Sequence, residues 1–279
     1  MTTKEFISQA LAEDIGDGDH SSIASIPPDK QGTMQLLAKE AGIIAGIDLA
    51  KEVLYQLDPR IVMRTFKNDG EEIRVGDIVF EITGSARNML TAERTLLNFL
   101  QRMSGIATIS RKYANIVKET ETQILDTRKT TPCLREFEKY AVKIGGAENH
   151  RFGLFDMIML KDNHIDFAGG IEKAIDAAHA YLKETNRSLK IEIETRNVDE
   201  VKRVVAHGGV DRIMLDNFSP SLIVEALKII NNQYETEASG GITLENLPQY
   251  AQTGVTYISI GALTHQIKSL DLSLKTINN

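Results

Sequence analysis

Between residues 126 and 164 the chain carries Asp126-Thr127-Arg128-Lys129-Thr130-Thr131-Pro132, then Asn149-His150-Arg151, then Lys161-Asp162-Asn163-His164. At least five cationic or potentially cationic side chains thus fall within under forty positions of a chain whose formal net charge is -7. Clustered like charges repel unless an anion lies among them. Arginine offers a planar fork that grips carboxylate or phosphate bidentately and stays charged in any pocket. The pattern predicts an anion cage of Arg94, Arg128, His150, Arg151 and Lys161, suited to a dicarboxylate or a phosphorylated sugar. Singly, each would be an ordinary surface cation paired to an acid; as a set beside strand ends they point to one site.

Further on the chemistry turns acidic. Glu192 and Glu194 alternate along one predicted strand and so face the same side, and Asp216 ends the next strand. Inward carboxylates need a purpose. They suit Mg²⁺ or the hydroxyls of a ribose, with a salt bridge to Lys161 or Arg128 as the plainer alternative. Ser239-Gly240-Gly241 and Gly261-Ala262 each follow a strand and precede a helix, where backbone N–H groups can cradle a phosphate; a tight turn is the plainer reading there. Lys161, after Met159-Leu160, also has the setting of a Schiff-base lysine, and His150 or His164 could act as a general base. Cys133 has no surroundings that mark a nucleophile.

These residues must be positioned by regular elements. Thr2 and Glu5 have capping-box spacing before Phe6, Ile7, Ala10 and Leu11, and Gly16 to Asp19 end that helix. Strand-like runs at Met34–Ala38, Ile61–Phe66 and Asp77–Ile82, with a helix around Leu49–Leu57, predict a small α+β domain. Thr91 is expected to open a helix with a Leu96, Leu97, Leu100 and Met103 stripe. Gly105 is expected to break it, with a second helix running to about Glu119. The predicted domains are 1–108 and 109–279.

From 123 onward six β-rich runs alternate with helical segments: Ile124-Leu125, Met157–Leu160, Ile191–Glu194, Arg212–Leu215, Tyr234–Ala238 and Tyr257–Ile260. Asn197 with Glu200, Ser219-Pro220 and Thr243 read as helix starts; His207-Gly208-Gly209 and Gly254 read as stops. The alternation implies parallel βαβ units. Six strands fall short of eight, so an open sheet and an incomplete barrel both fit the count. Polar residues at the C-terminal end of every strand decide for an incomplete parallel α/β barrel, whose chemistry gathers on that rim.

Composition narrows the classes. A chain of 279 residues, 42% hydrophobic and 25% charged, can bury a full core, and a pI near 5.5 argues against nucleic-acid binding. One cysteine allows no internal disulfide. No apolar run nears the ~20 residues of a membrane span, and the first residues show no signal-peptide core. The expectation is a soluble, cytoplasmic protein.

Laid end to end, Thr91–Asn98 (TAERTLLN), Ser104–Thr108, Asp126–Pro132, Glu138–Val142, Gly145-Gly146, Asn149–Arg151, Lys161–Ile165, Glu194, Leu215–Asn217, Ala238–Thr243 and Ile260–His265 resemble the quinolinate phosphoribosyltransferase family. The resemblance spans nearly the whole chain. It implies an N-terminal sandwich-like domain, an incomplete barrel, and a homodimer or multiple of dimers with sites shared across the interface. It assigns quinolinate to Arg94, Arg128, His150, Arg151 and Lys161, with the residue matching Arg94 reaching into the partner's barrel. Phosphoribosyl pyrophosphate and Mg²⁺ fall to Thr127, Lys129, Glu194, Asp216, Ser239, Gly240, Gly241 and Gly261. Glu194 and Asp216 are the implied metal ligands, and Lys161, Glu194 and Asp216 the implied catalytic groups. Two positions depart from the family pattern: Cys133 where glycine is usual, and Ala147 where a third glycine is common. The implied reaction joins quinolinate to phosphoribosyl pyrophosphate with loss of CO2 and pyrophosphate, giving nicotinate mononucleotide for NAD biosynthesis. A relative using another anionic acceptor, such as a molybdenum-transport-associated paralogue, a binding-only protein, and a Schiff-base aldolase are the competing readings.

Overall fold

The structure, a computed structural model, describes residues 2–277. It divides into two compact units, one made of the residues up to Ile109 together with those from Ile267 on, the other of Ser110–Gln266.

In the first unit α1 (Thr3–Ile15) starts on the expected capping box. The Glu5 N–H donates to Thr2 Oγ1 at 3.3 Å, and the Thr2 N–H donates to the Glu5 carboxylate at 2.7 Å. Gly16 ends the helix at φ 56, a conformation that favours glycine. After α2 (His20–Ser25) comes an antiparallel sheet in the order β12 (Leu272–Thr276), β1 (Gln31–Ala38), β5 (Ile78–Ser85), β3 (Val62–Thr65). The helix α3 (Ile47–Leu57) and a two-stranded pair, β2 (Gly42–Ile43) with β4 (Glu72–Ile73), complete this part. Met34, Leu36 and Ala38 of β1 are buried with the period of two that gives a strand one core face.

Two expectations fail here. The long helix α4 (Ala86–Val117) begins before Thr91 and runs through Gly105 without a break. Thr91 sits inside it, its hydroxyl donating to the Arg87 carbonyl at 2.9 Å. A glycine costs only ~1 kcal/mol in a helix interior, too little to stop a helix of 32 residues. Its reason is external, because a Cβ on Gly105 would run into the Lys268 carbonyl oxygen. The second failure is the domain assignment of the chain's end. Residues from 267 on were expected in the barrel, but β12 pairs antiparallel with β1, with Leu36 opposite Leu274. Leu272 and Leu274 are buried while Ser273 between them is half-buried and Lys275 beyond is exposed, the pattern of a half-buried strand seeking a sheet edge.

The second unit holds the six expected strands: β6 (Gln123–Leu125), β7 (Ile158–Leu160), β8 (Ile191–Thr195), β9 (Arg212–Asp216), β10 (Glu235–Ser239) and β11 (Tyr257–Ser259). All are parallel, in the order β6-β11-β10-β9-β8-β7, so the first strand lies beside the last, as in a ring that fails to close between β6 and β7. The gap is partly filled by the segment before His150. Leu125 makes a parallel bridge to Glu148, and the Asp126 N–H donates to the Glu148 carbonyl at 3.0 Å. The intervening helices are α5 (Arg135–Ile144), α6 (Asp162–Ala168), α7 (Ile171–Thr185), α8 (Val198–His207), α9 (Pro220–Ile230), α10 (Leu247–Ala251) and α11 (Ala262–His265). Asn197 and Ser219 cap α8 and α9 as expected, each accepting a backbone N–H. Thr243 does not start α10; its N–H donates to Asn246 Oδ1 at 2.8 Å in a preceding turn.

Candidate active site

The strand period puts alternate side chains of β8, β9 and β10 inside the ring. Glu192 is level with Arg212, Glu194 with Met214, Met214 with Glu237, and Asp216 with Ser239. The top layer opens into a cavity of about 900 Å³ at the strands' C-terminal ends. Its walls include Thr127, Arg128, Lys129, His150, Arg151, Lys161, Glu194, Asp216, Ser239, Gly240, Gly241 and Gly261. Every expected site residue therefore meets in one cavity except Arg94, which is exposed on α4 of the first unit. Glu192, read from the sequence as a companion of Glu194, does not line the cavity. It points the same way but lies one layer deeper, fully buried. His164 is also outside; its Nδ1 accepts the Lys161 N–H at 2.9 Å.

One side of the cavity is cationic. Among the described residues, no carboxylate is ion-paired to Arg128, Lys129 or Arg151, and the buried Arg128 Nε has no hydrogen-bond partner.. Arg151 donates to the Met157 carbonyl at 3.1 Å; burial, and then Arg128 beside it, hold its pKa below the usual arginine range. Gly261 leaves room for Lys129, since a Cβ there would approach Lys129 Cδ to 2.9 Å.

The opposite side is acidic and already organised. Glu194 accepts from Lys161 Nζ at 3.1 Å, the salt bridge weighed above as the plainer alternative. Asp216 Oδ1 accepts from Ser239 Oγ and Oδ2 from Asn217 Nδ2, both at 2.6 Å. Gly240, at φ 93, leaves no space for a side chain against Asn217. Glu194 and Asp216 are hard oxygen donors on neighbouring strands, a set chemically fit for Mg²⁺ shared with phosphate oxygens.

At the floor lies a network that sequence reading missed in part, with His150 and Glu237 lining the cavity and Glu192 behind them. His150 Nε2 is 3.0 Å from Glu192 Oε2 and 3.2 Å from Glu237 Oε2, ion-pair distances without hydrogen-bond alignment. Arg212 holds Glu237 at 3.0 Å and Glu235 at 3.1 Å. Burial and the neighbouring Glu237 push the Glu192 carboxyl up to about 7. Glu237 goes the other way: burial opposes its charge, but His150, Ser259 and Arg212 more than offset this. Burial likewise disfavours a charged His150, yet the two carboxylates raise its pKa to about 9. The Arg151 N–H donates to His150 Nδ1 at 2.7 Å and so resists a second ring proton. The hydrogen bond at Nδ1 thus works against the pull of the two carboxylates on the ring's charge.

The His150 backbone is clamped as well. Its N–H donates to Asp126 Oδ1 at 2.8 Å, and its carbonyl accepts from Lys139 Nζ at 3.1 Å. Lys139 and Asp126 are themselves a buried pair at 2.5 Å. Asp126, read as a rim residue, is an anchor below the rim. The signal for Glu237 was available: Glu235-Thr236-Glu237 repeats the alternation of Glu192-Ile193-Glu194. Lys139 gave none, because a helical lysine ordinarily faces water. Cys133 has φ 64, which explains why glycine suits its position.

Comparison with known proteins agrees with this architecture. The family models described as quinolinate phosphoribosyl transferase, C-terminal domain and N-terminal domain match residues 106–275 and 19–104. The chain is 45% identical over 287 residues to tobacco (Nicotiana tabacum) quinolinate phosphoribosyltransferase [decarboxylating] 2b, mitochondrial, covering 98% of this chain and 81% of that one. It is 42% identical over 280 residues to the probable nicotinate-nucleotide pyrophosphorylase [carboxylating] of Bacillus subtilis, covering 100% and 95%. The solved NadC structure from Streptococcus pyogenes superposes with a TM-score of 0.93 at 40% identity, covering 98% and 96%. Two domain models that together span most of the chain, with relatives of this identity along nearly its full length, place the chain in the quinolinate phosphoribosyltransferase family.

Proposed function

We infer that this chain transfers the phosphoribosyl group of phosphoribosyl pyrophosphate to quinolinate, releasing pyrophosphate and CO2 and forming nicotinate mononucleotide for NAD biosynthesis. The observation that carries this reading is one cavity with Arg128, Lys129 and Arg151, ion-paired to no carboxylate among the described residues, on one side and the braced Glu194 and Asp216 on the other. Arg128 and Arg151 take the two carboxylates of the acceptor, with Lys161 and His150 beside them. The quinolinate ring nitrogen attacks the anomeric carbon; that C–N bond forms as the C–O bond to pyrophosphate breaks. Positive charge develops on the ribosyl centre, and Glu194 and Asp216 stabilise it. The now quaternary nitrogen accepts the electron pair of the breaking C2–carboxylate bond, CO2 departs, and C2 takes a proton from solvent. Lys129, Thr127, Ser239 and the Gly240-Gly241 and Gly261 backbone hold the phosphates. Glu194 or Asp216 would hold Mg²⁺, which when bound would offset the charge of pyrophosphate. Arg94 completes the acceptor site of a second copy in a homodimer or multiple of dimers, and the single free thiol suits a reducing, cytoplasmic setting. No helix among the described residues is long and apolar enough to cross a membrane.

The test of this reading is charge counting by calorimetry. Quinolinate should bind at least tenfold more tightly than nicotinate, which lacks one carboxylate and with it one charged hydrogen-bond set. Equal affinities would remove the two-arginine account of the acceptor.

A further inference from the structure

Barrel interiors are ordinarily layers of Val, Ile and Leu. Here the layer under the rim holds Glu192 and Glu237, both fully buried, with His150 and Arg212 almost so. They arrive on different elements: β8, β10, the segment bridged to β6, and β9. Such a cluster is costly, and well-packed hydrophobic residues would often be as stable or more so. Both Glu192 oxygens and Glu237 Oε1 lack a hydrogen bond, so Glu192 is not spent on holding the strands together, and Glu237 ties β10 to β9 only through Oε2, on Arg212. What they face is the His150 ring, at 3.0 and 3.2 Å. That ring has its other nitrogen on the Arg151 N–H.

We propose that Glu192 and Glu237 are positioning residues for the acceptor pocket: from the barrel interior they fix the His150 ring, and through it the rim cation Arg151. The chain of contacts runs from Arg212 to Glu237, from both glutamates to His150 Nε2, and from Nδ1 to the Arg151 N–H. Met159 of β7 is level with Glu192 and offers no competing charge. The assignment of the pocket to quinolinate rests on the function proposed above; the contact chain does not.

The test uses the full-length protein with Glu237→Gln and Glu192→Gln, which keep shape and remove charge, together with His150→Gln and the Glu237→Gln/His150→Gln double variant. Each glutamine variant should raise KM for quinolinate about tenfold, the scale of one weakened charged contact. KM for phosphoribosyl pyrophosphate and kcat should stay within about twofold. The double variant should be no worse than His150→Gln alone, because Glu237 acts only through that ring. An unchanged quinolinate KM, a parallel rise in both KM values, or losses that multiply in the double variant would overturn the proposal. Nitrogen-15 spectra of histidine-labelled unaltered protein need no variant to fold. Nδ1 of His150 should appear unprotonated and hydrogen-bonded, and a protonated Nδ1 would equally overturn it. If unaltered protein released no CO2 from quinolinate, the functional reading would fail, while the spectra would still decide the contact chain.

Discussion

Arg128 and Arg151 share a partly buried wall with no ion-paired acid among the described residues, and Arg128 disfavours the charge of Arg151. An arrangement that repels itself is kept for an anion that is absent until substrate arrives. Arg151→Ala should therefore weaken the acceptor by the ~1.5–3 kcal/mol of a charged hydrogen-bond pair. Steady-state kinetics would read this as a rise of roughly 10- to 150-fold in KM for quinolinate; a rise under twofold would take Arg151 out of the acceptor site. At this scale the sequence was legible where charge stood out against an acidic background, as at Arg128, Lys129, Arg151 and Lys161. It was mute where charge was hidden by folding. Lys139 lies on a helix rich in charged residues, and only the buried Asp126 reveals that it points inward.

The same contrast holds for whole elements. The six parallel strands could be read because each is a short β-rich run between turn and cap signals. The full extent of α4 and the existence of β12 could not, because both depend on segments distant in the chain. Gly105 makes the point quantitatively. In an isolated helix, Gly105→Ala would stabilise by ~1 kcal/mol. Against the Lys268 backbone it should instead destabilise by about 1–3 kcal/mol, the usual cost of overpacking. Urea unfolding would measure the sign directly, and a stabilised variant would mean the close approach is absent. The Asp126–Lys139 clamp adds a pH signature to the second unit. Burial raises the Asp126 pKa from 3.8 to about 6, against the pull of Lys139 and His150. A carboxyl raised on folding contributes stability that is fully present below its unfolded value and lost as pH rises through the folded one. Between pH ~4 and ~6 this group should therefore lower the unfolding free energy by on the order of 3 kcal/mol relative to Asp126→Asn. Parallel unfolding curves for the two proteins across that window would contradict the burial argument.

At the scale of the whole molecule, the proposal is that Arg94 completes the acceptor site of a second copy. The family pattern implies that copy, which makes the claim one about mixed dimers. Arg94→Ala and Lys161→Ala proteins, each inactive alone, should regain activity when mixed and allowed to exchange. About half the dimers would then be mixed, each with one intact site, so about a quarter of the unaltered activity should return. No recovery after exchange verified by mass would place Arg94 in its own chain's site or in none. The role of Arg94 in a partner's site was visible in the sequence only through the family motif, since nothing in its own helix distinguishes it from an exposed surface cation. The central claim, that this cavity couples phosphoribosyl transfer to decarboxylation, is tested most directly with quinolinate labelled in its 2-carboxylate, phosphoribosyl pyrophosphate and Mg²⁺. The account predicts one labelled CO2 and one pyrophosphate for each nicotinate mononucleotide formed, and no CO2 when phosphoribosyl pyrophosphate is left out. Binding of quinolinate without release of CO2, or a nucleotide product that keeps both carboxylates, would contradict it.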